Sequence, residues 1–376
     1  MLALGFVSLL NDAASEMVFP LLPLFLTTVL GAGPAALGFI EGLAEALASV
    51  LKLFAGRWAD RSGKNRPFLL AGYGLSVAVK PLVALAGSPL HLLVVRLLDR
   101  TGKGLRTSPR DALLAASVPA ELRGTAFGLH QAMDHLGAVI GPLLALVILR
   151  WSDGDLRLLF ALSAIPGALA FGALLRVKDA ATTPGTPAPL GWGTPALRRA
   201  LLPIGLFTLG NASDAFLMLK AGASTTHPLT ALPLLWMALN AVRSLTSAYG
   251  GSLSDRWGPR RSIALGWAWY AGICLGLAFA NDLIWVTALV LLLGVRNGLT
   301  EGAEKALVAD VALPEGRGEA FGLYHLCVGI CAVPASFVFG MLWERWGDQV
   351  AWLSAAGFAV LAVALLGRLS GTPKAA

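Results

Sequence analysis

Charge is scarce in this chain: Asp, Glu, Lys and Arg together supply 14% of its 376 residues, while 56% are hydrophobic. A soluble globular surface needs more, and a mean hydropathy of +0.71 points to lipid as the solvent. Cysteine is scarcer still. Cys274, Cys327 and Cys331 lie on apolar segments without zinc-type spacing, which excludes a disulfide scaffold and leaves helix packing as their expected role. Neither an H-E-x-x-H helix nor a nucleophile elbow occurs, so an enzyme is not expected. The net charge of +7 could suggest nucleic acid, but the basic residues neither line one surface nor alternate with stacking aromatics.

What the chain does have is long apolar runs. With about 20 residues needed per crossing, helices are predicted over 2–28, 34–56, 67–87, 89–117, 122–150, 157–177, 199–221, 228–251, 262–280, 283–311, 316–343 and 349–369. That is an all-α integral membrane protein of twelve crossings. The first run starts at Met1 without a basic leader and contains Asp12 and Glu16, so a retained helix is expected rather than a cleaved signal peptide. Alternate connections carry Arg57, Arg61, Lys64 and Arg66, then Arg110 and Arg123, then Arg176, Lys178, Arg198 and Arg199, and later Arg256, Arg260, Arg261 and Arg317. The opposite connections hold only Arg150, Arg157, Lys220 and Arg345. The positive-inside rule then puts both termini in the cytoplasm, for a protein of the cell's inner membrane.

The chain is a duplication. Asp60 and Asp255 are 195 positions apart, as are Gly63 and Gly258, and "RGTAFGL" at 123–129 returns as "RGEAFGL" at 317–323. Two unrelated motifs recurring in one order at nearly one offset imply a repeated six-helix unit. Both copies face the same side, so the repeat is parallel. The segment 178–198, broken by Pro, Gly and Thr, reads as a linker between bundles 1–177 and 199–376.

"GRWADRSGK" at 56–64, with its more degenerate copy at 251–261, resembles the signature loop between helices 2 and 3 of the major facilitator superfamily. The resemblance covers the whole chain. It implies two six-helix bundles around a cavity that opens alternately to each side. Gly56, Asp60, Arg61 and Gly63, with Asp255, Arg256 and Gly258 in the copy, are then the conformational latch, the glycines allowing a tight turn and the aspartates reaching a helix N-terminus or an arginine. In the fifth helix, Gly128, Gly137, Gly141 and Pro142 follow the spacing of the superfamily's antiporter motif, with Ala145 in place of the last glycine. Small residues at that spacing allow close helix approach. The fourth helix departs from the family: Arg96 stands where many members carry a basic residue implicated in proton transfer, but Asp99 and Arg100 replace the usual Gln-Gly. Gly102-Lys103 is similar to part of a phosphate loop but lacks the first glycine and the preceding strand.

Ionisable residues at bilayer depth are costly and face a cavity or a partner. Asp12 and Glu16 lie four apart on the first helix, Glu41 and Glu45 four apart on the second, at matching depths of roughly 15 and 20 Å from the same membrane face at about 1.5 Å per residue. If the two faces meet, four carboxylates converge near mid-membrane. They cannot all stay ionised without compensation, for which Arg96, Arg100 and Lys52 are placed; the group either couples protons or is a structural ion-pair network. Asp134, four residues after His130 and close to Gln131, extends the polar cavity surface in the fifth helix, where two ligand types alone make no metal site. Asn211 and Asp214, Asn240 and Arg243, Arg296 and Glu301, and Tyr324 and His325 supply substrate-cavity candidates in the second half.

The expected function is secondary active transport of a small organic, amphiphilic or ionic, solute, by proton-coupled efflux. Import of an anionic metabolite or iron chelate, uniport, and a non-transporting membrane sensor remain alternatives, the last disfavoured because no soluble relay domain is expected. The implied partners are a small-molecule substrate, protons and the lipid bilayer. No cofactor beyond a proton gradient, no metal and no second protomer are implied.

Overall fold

The computed structural model describes residues 2–32, 34–179, 193–211, 213–225 and 228–368. Fifteen α-helices form among them: α1 (Leu2–Glu16), α2 (Leu22–Thr28), α3 (Pro34–Ser62), α4 (Arg66–Val79), α5 (Pro89–Ala116), α6 (Arg123–Trp151), α7 (Leu156–Leu162), α8 (Ala164–Leu174), α9 (Pro195–Gly210), α10 (Asp214–Ala223), α11 (Pro228–Trp257), α12 (Pro259–Phe279), α13 (Leu283–Val311), α14 (Arg317–Trp346) and α15 (Asp348–Arg368). Most of the linker, 180–192, lies outside the described residues.

The fifteen helices build twelve crossings because three crossings are interrupted. The first splits into α1 and α2 around a 3-10 turn at Phe19–Leu21, where Pro20 and Pro23 withhold backbone donors. The sixth splits at Ser163, whose hydroxyl turns back onto the Phe160 carbonyl at 2.7 Å. The seventh breaks between Gly210 and Asp214, and α10 restarts with the Ser213 side chain accepting from Ala215 N–H at 3.4 Å. Loop ends are capped in the ordinary way: Ser88, Asp155, Thr194 and Asp282 accept backbone N–H groups at the starts of α5, α7, α9 and α13.

Nine helical segments among the described residues are long and apolar enough to cross a bilayer. The remaining three crossings are α3, α5 and α11, and each packs against other helices. In the first half α3 packs on α5, α4 on α5, α1 on α8 and α4 on α8; in the second, α11 packs on α13, α12 on α13, α9 on α15 and α12 on α15. The same neighbours recur at equivalent places, as a duplicated unit requires.

Contacts divide the chain into two compact units. The first is Met1–Val118, Met133–Pro189 and Leu313–Leu326; the second is Pro119–Ala132, Leu190–Ala312 and Cys327–Ala376. The opening turns of α6 therefore belong with the second unit and those of α14 with the first. The first unit is filled by Phe25, Phe160, Leu22 and Leu92 at one level and by Tyr73, Leu69, Leu174 and Leu113 at another. In the second, Trp267 stacks on Phe207 with centroids 4.7 Å apart.

Candidate functional site

The repeated motifs are each other's partners, crosswise. In the first unit the Asp60 carboxylate, on the last turn of α3, accepts the backbone N–H groups of Gly318 (3.0 Å) and Glu319 (2.7 Å) at the start of α14. These are donors that a helix leaves unsatisfied in its first turn, and the dipole there favours an anion. Arg57, one turn before Asp60, forms a 2.5 Å ion pair with Glu319. Gly56 is needed for the approach: a methyl group on it would overlap the Gly318 carbonyl. Gly63, at φ +64°, then turns the chain into α4.

In the second unit Asp255 does the same to α6. Its two oxygens accept the N–H groups of Gly124 (2.6 Å) and Thr125 (2.7 Å), and a methyl on Gly251 would overlap the Gly124 carbonyl. The sequence ranks this copy as degenerate, yet its hydrogen bonds are no longer than those of Asp60. What it lacks is the Arg57–Glu319 pair, since Ser252 and Thr125 occupy the matching positions; Arg123 pairs with Asp310 at 2.7 Å instead. Gly258 makes the turn at φ +87°. Arg61 and Arg256, expected in the latch, are exposed, and Arg61 acts on Glu319 of the first clamp through its charge.

Along α6 the small residues face close neighbours. Added methyls would lie 2.5 Å from the Leu9 carbonyl at Gly137 and 2.7 Å from both the Ala13 carbonyl and the Glu16 Cβ at Gly141. Gly128 contacts α11 instead, where a methyl would overlap the Ser247 carbonyl. Pro142 sits inside α6, one residue beyond Gly141.

The first unit also holds a dense charged group. Asp12 and Glu16 share one face of α1. Asp134, Arg106, Lys80 and Arg110 act on Asp12 by charge, Asp12, Lys103, Arg100 and Lys80 act on Glu16, and Lys103 feels Asp12 as well. Glu45 has different partners, Lys52 at 3.4 Å and Arg100 at 3.7 Å, with half of its side chain exposed. The Glu41 side chain lies outside the described residues. Arg96 stands 3.6 Å from Asp99, and both Arg96 and Arg100 cover the Phe19 ring. Lys80, almost fully buried, donates to the Asn11 carbonyl (3.2 Å) and side chain (3.0 Å). Asp134 lies 3.9 Å from Arg110.

In the second unit, Asp214 at the restart of the broken crossing pairs with Arg243 at 2.8 Å, and Asn211 at the end of α9 accepts from Arg296 at 3.3 Å. Glu301 accepts from Gln131 (2.8 Å) and Asn297 (2.9 Å), and Lys305 donates to Gln131 at 3.1 Å. His130 is buried on α6 beside Gln131. Asn240 donates to the Trp236 carbonyl one turn back on its own helix. Tyr324 and His325 lie in the part of α14 that belongs to the first unit: Tyr324 is buried with its ring 5.0 Å from that of His325, and His325 reaches Asp111 of the same unit at 2.9 Å.

Several participants were not expected in the site from the sequence: Glu319 and Asp310 in the clamps and Lys80, Arg106 and Asp111 in the charged group, while Arg57 and Arg110 were named only for topology and Lys103 only for its likeness to a phosphate loop. For Glu319 the signal was present, because the loop motif and the "RGxAFGL" motif repeat at almost the same offset. For α5 it lay in the spacing: Arg96, Arg100, Lys103, Arg106 and Arg110 form one helical stripe.

A sequence model of the Major Facilitator Superfamily matches residues 4–333 and 224–376. An uncharacterized MFS-type transporter of Methanocaldococcus jannaschii is 32% identical over 350 residues, covering 91% of this chain and 87% of the relative. Multidrug resistance protein MdtH of Cronobacter sakazakii is 28% identical over 321 residues, 82% of this chain and 78% of the relative. The fold matches the crystal structure of a bacterial homologue of the iron transporter ferroportin in its outward-facing state, with a TM-score of 0.79 at 16% identity over 98% of this chain and 99% of the other.

Proposed function

Since the chain belongs to the major facilitator superfamily and is a multi-pass membrane transporter of that twelve-helix fold, we propose that it exports a small organic solute in exchange for protons, by alternating access. The bundles are 1–177 and 199–376, joined by the linker 178–198, with both termini in the cytoplasm of an inner-membrane monomer. No catalytic step is invoked.

The observation that carries alternating access is the crosswise pair of clamps. Asp60 on the N-terminal donors of α14 and Asp255 on those of α6 join sequence-distant halves of a duplicated chain through hydrogen bonds that can be made and broken as a set. Such a two-state element is what a solute and a proton must bias in opposite directions. The antiporter-like glycines of α6 and the similarity to a multidrug resistance protein support export. Asp12 and Glu16, on one face of α1 amid Lys80, Lys103 and Arg106, support proton coupling, because protonation there changes the charge that the bilayer interior must tolerate. Purified protein in proteoliposomes, offered a labelled compound library in counterflow with and without a pH gradient, tests the proposal. Solute exchange accelerated by an inward proton gradient is the expected result; exchange indifferent to the gradient removes the coupling, and accumulation along with protons reverses the direction.

A further inference from the structure

We infer that the exported solute carries an oxyanion, a carboxylate or a group of that kind, and that it docks on Arg296 at the break between α9 and α10. The inference rests on the transport reading and names the substrate class of that site.

Arg296 projects from the middle of α13 and is 7% exposed, yet among the described residues its hydrogen bond to another side chain goes to a neutral amide, Asn211 Oδ1, at 3.3 Å. Its Nε, like that of Arg243, is buried without a hydrogen-bond partner among the described residues. The guanidinium lies over Tyr270 at 5.1 Å and Phe207 at 5.7 Å, which orients it without neutralising it. The nearby carboxylates are engaged elsewhere: Asp214 holds Arg243 at 2.8 Å, and Glu301 receives Asn297 and Gln131. Arg243 next door thus holds Asp214 in a direct ion pair, whereas Arg296 meets the Asp214 charge only through space and has no direct ion pair among the described residues. A cation in a low-dielectric interior is retained where something balances it for part of the working cycle. A guanidinium fork matches the two oxygens of a carboxylate or phosphate better than any other anion.

The backbone supports the same conclusion. Asn211 ends α9 in an extended conformation, φ −81° and ψ 104°, and α10 restarts three residues later. Irregular backbone at membrane depth is tolerated where it lines a binding site, and interrupted helices serve this role in transporters. Here the interruption shares a hydrogen bond with an arginine that has no direct ion pair among the described residues.

The test uses benzoate as the probe, with benzamide as its neutral isostere, on the purified full-length protein. Equilibrium binding and thermal stabilisation are measured for wild type, Arg296→Gln and Arg296→Lys. Benzoate should bind and benzamide should not; Arg296→Gln should weaken benzoate by about 10- to 100-fold, the loss expected for a hydrogen bond to a charged group. Arg296→Lys, which keeps the charge but not the fork, should fall between them and guards against a glutamine variant that does not fold. Failure of benzoate to bind, equal binding of benzamide, or undiminished binding in both variants overturns the inference. Counterflow on the same preparation separates this from the transport proposal. Benzoate binding without any solute exchange would sink transport and leave the anion site, whereas exchange of a cationic solute unaffected by Arg296→Gln would do the reverse.

Discussion

His325 Nε2 on α14 lies 2.9 Å from Oδ2 of Asp111 on α5, and Asp111 is completely buried. The other carboxylate oxygen takes both Nε and Nη2 of Arg110 at 3.1 Å, while Arg110 Nη1 stands 3.3 Å from the Ser8 hydroxyl. One carboxylate therefore ties α14 to α5 and, through Arg110, to α1. The opening turns of α14 are held twice, here and by the Asp60 clamp.

Asp111→Ala leaves a buried guanidinium short of its main counter-charge, and removing one member of a buried pair costs about 3–5 kcal/mol. We expect a large fall in melting temperature in detergent, measured by size-exclusion of heated samples. His325→Gln retains a donor and should melt close to wild type. Equal destabilisation by the two changes would show that the histidine, not the arginine, is the group that Asp111 compensates.

Asp60→Asn and Asp255→Asn should impair transport to a similar degree. Each amide keeps one acceptor oxygen but loses the charge at a helix N-terminus and one of two backbone hydrogen bonds, and hydrogen bonds to charged groups are worth about 1.5–3 kcal/mol. The equilibrium between cavity states should shift about tenfold or more, visible as altered cysteine-labelling rates on the two faces with normal membrane insertion. A mild Asp255 variant beside a dead Asp60 variant would mean that the Arg57–Glu319 pair, which the second clamp lacks, dominates.

At Gly141 even alanine should be harmful. Its methyl would sit 2.7 Å from a backbone oxygen and from the Glu16 Cβ, neither of which can rotate away. Gly141→Ala should reduce solute exchange several-fold and Gly141→Leu should abolish it, whereas Gly172→Ala, with open space around it, should be silent. Full activity of Gly141→Ala in the exchange assay would show that α1 and α6 have slack there.

The crossings and the duplication were legible because lipid imposes length and apolarity on each span and a repeat leaves its offset behind. Interruptions at Phe19–Leu21 and Asn211–Ser213 were not, since Pro20 and Pro23 sit in an otherwise apolar run and nothing local distinguishes Asn211 from an ordinary polar helix residue. Asp60 and Asp255 were legible as motif residues that reach a helix N-terminus or an arginine, but which helix each one meets was not, because a backbone N–H leaves no trace in residue type. Glu45 shows the limit of depth arguments. Its estimated height matches that of Asp12, but height does not say which way a side chain points, and it meets Lys52 and Arg100. Asp111 and Lys80 were passed over because they stand near span ends, where charge attracts no notice.

The proton-coupling role should fall on Asp12 and Glu16 rather than evenly on the helix 1 and 2 carboxylates. Both lie on α1 among Lys80, Lys103 and basic residues of α5, and Glu16 touches the Gly141 contact. A proton taken up there changes the charge beside a tight helix contact, so uptake and helix movement are linked. Glu45, half exposed between two cations, can stay charged through the cycle at little expense. Asp12→Asn and Glu16→Gln, singly and together, should therefore abolish solute-driven proton movement, read by a pH-sensitive dye inside proteoliposomes, while solute-for-solute exchange continues. Glu45→Gln should keep the coupling and lose only some stability. Coupled proton movement surviving in the double α1 variant would remove these carboxylates from the mechanism, and failure of every variant to fold would make them a structural ion-pair network.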